Sequence, residues 1–150
     1  MKKIKLFPLI ALVAVLAFGL TSCGGYNNNK AKEFIKKDKK DKLKKEDYAT
    51  MIEWYEAVNE EYLDGWEKII KKEKKYDDYQ LAMQEFQIEM LSDYPHIDRI
   101  ESILRRDAND GEDGKMGKAN CNKYEKLSEK FEKRREKLQD KAPEYEPDDD

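Results

Sequence analysis

The chain has 150 residues, of which 42% are charged and 39% hydrophobic, with a net charge of −3 and a mean hydropathy of −1.03. So polar a composition excludes a multi-span membrane protein, and an aromatic content of 11% excludes simple disorder; one small domain with a modest core remains. Two cysteines and one histidine rule out a disulfide framework and leave little material for a metal centre.

Lys2, Lys3 and Lys5 form a short basic start, and from Leu6 to Leu20 the chain is apolar apart from Pro8 and Gly19. A charged start, a short apolar run and small residues before a cleavage point make a secretory signal, too short and wrongly flanked for a spanning helix. Because a cysteine stands at the junction, Leu20-Thr21-Ser22-Cys23 resembles the lipobox of the type II signal peptide of bacterial lipoproteins. The resemblance covers residues 1–23. It implies that the Cys23 thiol receives a diacylglycerol, that the peptide is cut before Cys23 and that the new amine is acylated. The protein would then be held to a membrane through lipid on Cys23. Gly24 stands where an aspartate retains such proteins in the inner membrane, which implies the outer membrane in a Gram-negative cell. The run from Gly24 to Lys30 has no acid, which favours the periplasmic face over the cell surface. With lipid on Cys23, Cys121 has no partner within the chain and is either buried or paired with another molecule.

Behind the signal the chain carries 27 bases and 33 acids, a net charge of −6. Residues 24–29 read as a flexible spacer. Residues 30–45 hold nine lysines against Glu33, Asp38 and Asp41, with only Phe34, Ile35 and Leu43 as sizeable apolar groups, and read as a Lys-rich stalk or a weak helix. The bundle domain is expected over residues 48–142. Its first helix has a capping-box candidate in Thr50-x-x-Glu53, with Asp47 as a competing cap. At 100° per residue, Tyr48, Met51, Ile52, Trp54, Tyr55, Val58, Tyr62, Leu63, Trp66, Ile69 and Ile70 share about half the circumference. Gly65 lies on that apolar side, where it would let a neighbouring helix come close.

A second helix is predicted from Asp77 or Asp78, with Tyr79, Met83, Phe86 and Met90 as its main stripe and Leu81 and Ile88 opposite. Pro95 should kink or break it, with Ile97, Ile100 and Leu104 continuing the same face beyond. Gly111, Gly114 and Gly117 mark a mobile loop over about 109–119. A last helix begins near Asn120 or Asn122, carries Tyr124, Leu127, Phe131 and Leu138 with Arg135 in the gap, and ends at Ala142-Pro143. Residues 143–150, with two prolines and five acids, should be disordered. The fold class expected is all-α, an antiparallel bundle of about three main helices behind a Lys-rich stalk.

The search for chemistry is less productive. His96 has no second histidine or cysteine beside it, and zinc needs about three or four placed ligands. Ser92, Ser102 and Ser128 stand in no strained strand-to-helix turn of the kind that exposes a nucleophile. Placing Asp107 at position 1 of a calcium loop puts Asn109 correctly at 3 but Glu112 where the turn glycine belongs and Lys118 where the bidentate glutamate belongs. The lysines of 30–45 suit anionic headgroups rather than nucleic acid in an exported protein. Trp54 and Trp66 read as core residues before sugar platforms, and Cys121, flanked by Lys118 and Lys123, as a structural thiol before a reactive one.

No catalytic, cofactor or metal site is assigned. The expected function is non-catalytic binding or scaffolding by a membrane-tethered envelope lipoprotein, with an unknown envelope protein or polymer as partner. A hydrolase or its accessory subunit, and an inhibitor or immunity lipoprotein, are the rivals. Leu81 and Ile88 are the candidate partner contact. Their other explanation, and the expected one, is cover by a Phe34-Ile35 segment folded back from the stalk.

Overall fold

A computed structural model describes residues 27–145, and every regular element among them is an α-helix. There are five among the described residues: α1 (Asn28–Lys39), α2 (Lys45–Lys72), α3 (Tyr76–Asp93), α4 (Ile97–Ala108) and α5 (Lys118–Gln139). The all-α class is therefore right and the count of three main helices is not. Two of the expected alternatives account for it: the second helix, expected to kink or break at Pro95, breaks in two, and the stalk, expected as a stalk or a weak helix, is a helix.

The stalk is corrected by its few apolar residues. Ala31 and Phe34 are buried in α1 and Ile35 packs against the core. Spaced three and four apart they lie on one side of a helix, so a lysine-rich composition conceals a usable apolar face. The Asn27 side chain starts the helix by accepting from the backbone N–H groups of Asn29 and Lys30, at 3.0 and 3.1 Å. Lys36, Lys37 and Lys39 in the last turn complement the negative end of its dipole. Phe34 meets Trp54 of α2 at 5.5 Å between ring centroids, with the Lys30 and Lys37 ammonium groups 5.8 and 5.6 Å from its ring.

α2 begins earlier than Thr50. Asp47, in its first turn, reaches back to accept from the Lys44 backbone N–H at 2.9 Å, while the Thr50 hydroxyl donates to the Glu46 carbonyl. At 28 residues it is the axis of the molecule; α3, α4 and α5 all pack against it. Tyr48, Met51, Ile52, Tyr55, Val58, Leu63 and Ile70 from the apolar arc are buried, and Trp54, Tyr62, Trp66 and Ile69 are partly so.

Pro95 separates α3 from α4. Without an N–H to donate, and disfavouring helical dihedrals in Tyr94, it ends α3 at Asp93, and α4 starts at Ile97. The two pieces run down α2 in one direction. Tyr79 and Phe86 of α3 meet Trp66 and Tyr62, and Asp107 of α4 meets Tyr48. α5 runs along α2 in the same sense, with Asn120 beside Lys45, Tyr124 and Phe131 beside Tyr55, and Arg134 beside Asp64. α1 lies on α4. Gly65 explains how α3 comes so close: the Phe86 ring sits where a Cβ would be, stacked on Tyr62 at 5.7 Å.

The loop between α4 and α5, expected to be mobile, is a succession of tight turns. The backbone N–H groups of Gly111, Gly114 and Gly117 donate to the carbonyls of Ala108, Gly111 and Gly114, each at 3.0 Å. Gly111 and Gly117 have φ of 78° and 75°, values that glycine adopts without steric cost. Met116, fully buried, anchors the loop to the core, and Lys115 pairs with Asp41 of the α1–α2 turn. Of the acidic tail, residues 143–145 are described, and the Tyr145 ring meets Tyr76 edge-on at 5.5 Å.

Candidate functional site

The polar residues singled out in the sequence mostly serve the fold. His96 precedes α4, half-buried, and burial together with nearby Lys32 lowers its pKa from the ordinary imidazole value. Ser92 is exposed near the end of α3, Ser102 donates to the Asp98 carbonyl within α4 at 2.8 Å, and Ser128 is half-buried on α5. They stand on three different helices. Trp66 donates from its indole N–H to the Tyr79 hydroxyl at 2.9 Å, and Trp54 packs on Phe34. Cys121 is buried with its Sγ 3.5 Å from the Ala108 carbonyl and from Glu125, and burial with that carboxylate raises its pKa, as suits a structural thiol. Among the described residues no group of three or more His, Cys, Asp or Glu side chains is arranged to hold a metal ion, and no helix is long and apolar enough to cross a membrane. Cys23 lies outside the described residues.

Asp107, the first residue of the rejected calcium loop, turns away from that loop into the protein. Its carboxylate accepts from the Tyr48 hydroxyl at 2.8 Å and from the Arg106 guanidinium at 2.6 and 2.8 Å, and Arg106 also reaches Asp38 of α1. Three helices are thus joined at one buried point. Burial pushes the Asp107 pKa up, but the Arg106 and Tyr48 hydrogen bonds outweigh it and hold the carboxyl below its ordinary value. A folded pKa below the unfolded one stabilises fully above the unfolded value, about 3.9, and the contribution is lost as pH falls through the folded value. Asp107→Asn should therefore lower the melting temperature at neutral pH, and the gap from wild type should close below about pH 4. A gap that stays constant across an acid titration of melting temperature would show that this carboxylate is not ionised in the fold.

The α2–α5 seam is a second array missed by the sequence reading. Arg134 bonds Glu60 at 2.8 Å, Asp64 at 2.6 Å and Glu67 at 3.2 Å. Lys130 also reaches Glu60, and Arg135, the residue in the gap of the α5 stripe, bonds the buried Asn59. The signal was present: the polar side of α2 is acidic, and α5 carries bases at 123, 126, 130, 133, 134 and 137 that share an arc. These pairs are partly exposed and fix register more than they add stability.

What remains without an internal role is the outer face of α3. Leu81 and Ile88 are 59% and 61% exposed, and Leu91, one turn further on, is 47% exposed. The expected cover by Phe34-Ile35 is absent because α1 packs on α4 and on the N-terminal half of α2, whereas α3 packs on the C-terminal half. α3 is apolar on two sides: Tyr79, Met83 and Met90 are buried toward α2, and Leu81, Ile88 and Leu91 point out. With Gln84 they form the series 81, 84, 88, 91, whose steps of three and four make a narrow strip down one helix face. The helix carries Asp77, Asp78, Glu85, Glu89 and Asp93 and no lysine or arginine. No protein-family model, curated protein or solved structure matches the chain.

Proposed function

We propose that the chain is a membrane-tethered envelope lipoprotein whose helical body is a non-catalytic binding module. The observation that carries this reading is the outer face of α3, where three large apolar side chains are exposed together on a chain with 42% charged residues. Scattered exposed apolar groups are ordinary, but a row of them along one face of a helix that already has a core face marks an interaction surface.

The tether supports the same reading. Asn28, the first residue of α1, follows Cys23 by five positions, so the body starts within about 17 Å of the lipidated residue even when the connection is fully extended. A short connection holds the start of α1 near the membrane instead of on a long stalk. Lys32, Lys36 and Lys39 lie along the exposed side of α1 and suit anionic headgroups at that distance.

The test is the pair Leu81→Lys and Ile88→Lys. Because both side chains are solvent-exposed, thermal melting should move by no more than about 0.5 kcal/mol in stability. Crosslinking of the protein to neighbours in intact cells should nevertheless be lost. Unchanged crosslinking would remove the reason for calling this face a binding surface, and a large fall in stability would mean that the pair is structural.

A further inference from the structure

We infer that the outer face of α3 docks an amphipathic helix from another protein, one whose apolar stripe is flanked by lysine or arginine. This rests on the binding-module reading and identifies its surface and its partner's chemistry. Leu81, Gln84, Ile88 and Leu91 repeat at the three–four spacing by which one helix seats another, and among the described residues no other helix covers them.

Charge selects among possible occupants. α3 has five acids and no base; Asp78, Glu85 and Glu89 are exposed along one side of the strip and Asp77 is exposed at its head. Of the lysines just before the helix, Lys71 pairs with Glu67, Lys72 with Glu73, and Lys74 bonds the Ile70 carbonyl, while Lys75 is exposed at the cap of the helix and the only base there without such a bond among the described residues. A second copy fits poorly. Parallel self-pairing would set every acid beside its twin. Antiparallel pairing that seats Leu81 on Leu91 and Gln84 on Ile88 centres on residue 86 and brings the two Glu85 carboxylates together, and like charges opposed across a seam are destabilising. An anionic lipid surface is repelled by the same acids, and the lysine row that suits it lies on α1, which packs on α4 rather than α3. A basic-flanked helix is the occupant that satisfies both the apolar strip and its acidic border. The strip is small for a permanent complex, so the border supplies much of the selection and steers encounter.

The experiment places a photo-crosslinking amino acid in the full-length chain in intact cells at Ile88, at Leu91 or, for reference, at Lys133 on the exposed side of α5. Adducts are expected at Ile88 and Leu91 to a different protein, and mass spectrometry of the joined peptides should locate a segment with apolar residues at three–four spacing between lysines or arginines. Glu85→Lys with Glu89→Lys should cut that adduct at least fivefold while leaving melting unchanged. An adduct of twice the mass, an adduct to lipid, an acidic or non-helical joined segment, or a yield indifferent to charge reversal would each overturn the inference. If Ile88 and Leu91 give no adduct but Lys133 does, the α3 assignment fails and the binding module stands. If all three positions are silent, both fall.

Discussion

Tyr55→Ala is expected to destabilise the helical body by about 3–5 kcal/mol, enough to lower its melting temperature by roughly 10–20 °C. Tyr55 is 1% exposed at the centre of α2, with Tyr124 at 5.2 Å and Phe131 at 5.7 Å between ring centroids. Truncation removes the ring that α5 packs against and leaves a cavity that three helices border, so local collapse cannot fill it. Marginal stabilities of about 5–15 kcal/mol make such a loss a large fraction of the whole. Tyr55→Phe separates packing from hydrogen bonding. It keeps the ring and loses only the buried hydroxyl, for about 1 kcal/mol. Calorimetry of the two variants side by side decides the matter: equal losses would mean that the hydroxyl and not the ring holds this junction.

Tyr55 also shows what was legible in the sequence. An arc of eleven apolar residues at helical spacing announces α2 because burial is enforced turn after turn over a long helix, and phase errors average out. Pro95 announces the break between α3 and α4 through a local steric fact. The beginning of α2 was harder, since Thr50-x-x-Glu53 has the form of a capping box while Asp47 performs the capping. Both satisfy the local rule, and the choice is made by Tyr48 and Met51, whose burial requires the helix to be under way before Thr50. α1 was legible only as a stalk or a weak helix because five of its twelve residues are lysine, yet two buried side chains, Ala31 and Phe34, suffice to hold a short helix on a body already formed. Tertiary packing overrides a weak local signal there.

The surface of α3 was half legible. Periodicity alone placed Leu81 and Ile88 opposite the main stripe, and that much is intrinsic to the helix. Whether something covers them depends on where α1 lies, which no local pattern encodes. Gln84 and Leu91 complete the strip but draw no notice in a search for apolar pairs, because a glutamine sits at one of the four positions. The buried junction of Tyr48 with Asp107 was out of reach for a plainer reason: its partners are 59 residues apart, and an aspartate beside a glycine-rich loop reads as a loop residue.

Cys23→Ser should move the protein from the membrane to soluble fractions, or leave it unprocessed with its signal attached. The serine hydroxyl cannot take the thioether-linked diacylglycerol, and without that step cleavage before residue 23 should fail. The expected change is close to complete because, on the proposed anchoring, the lipid would supply nearly all the membrane affinity. One acyl chain alone binds only marginally, with an association constant of about 10⁴ M⁻¹, whereas two or three on one residue anchor durably at about 0.8 kcal/mol per buried methylene. The lysines of α1 add about 1 kcal/mol each beside an anionic surface, and salt screens them within about 10 Å. Wild-type protein should consequently resist a high-salt wash, and any membrane-associated Cys23→Ser protein released from its signal should come off in salt. If the variant stays salt-resistant on the membrane and is processed normally, Cys23 is not the anchor. The short reach from Cys23 to Asn28 would then no longer set where the α3 face is displayed.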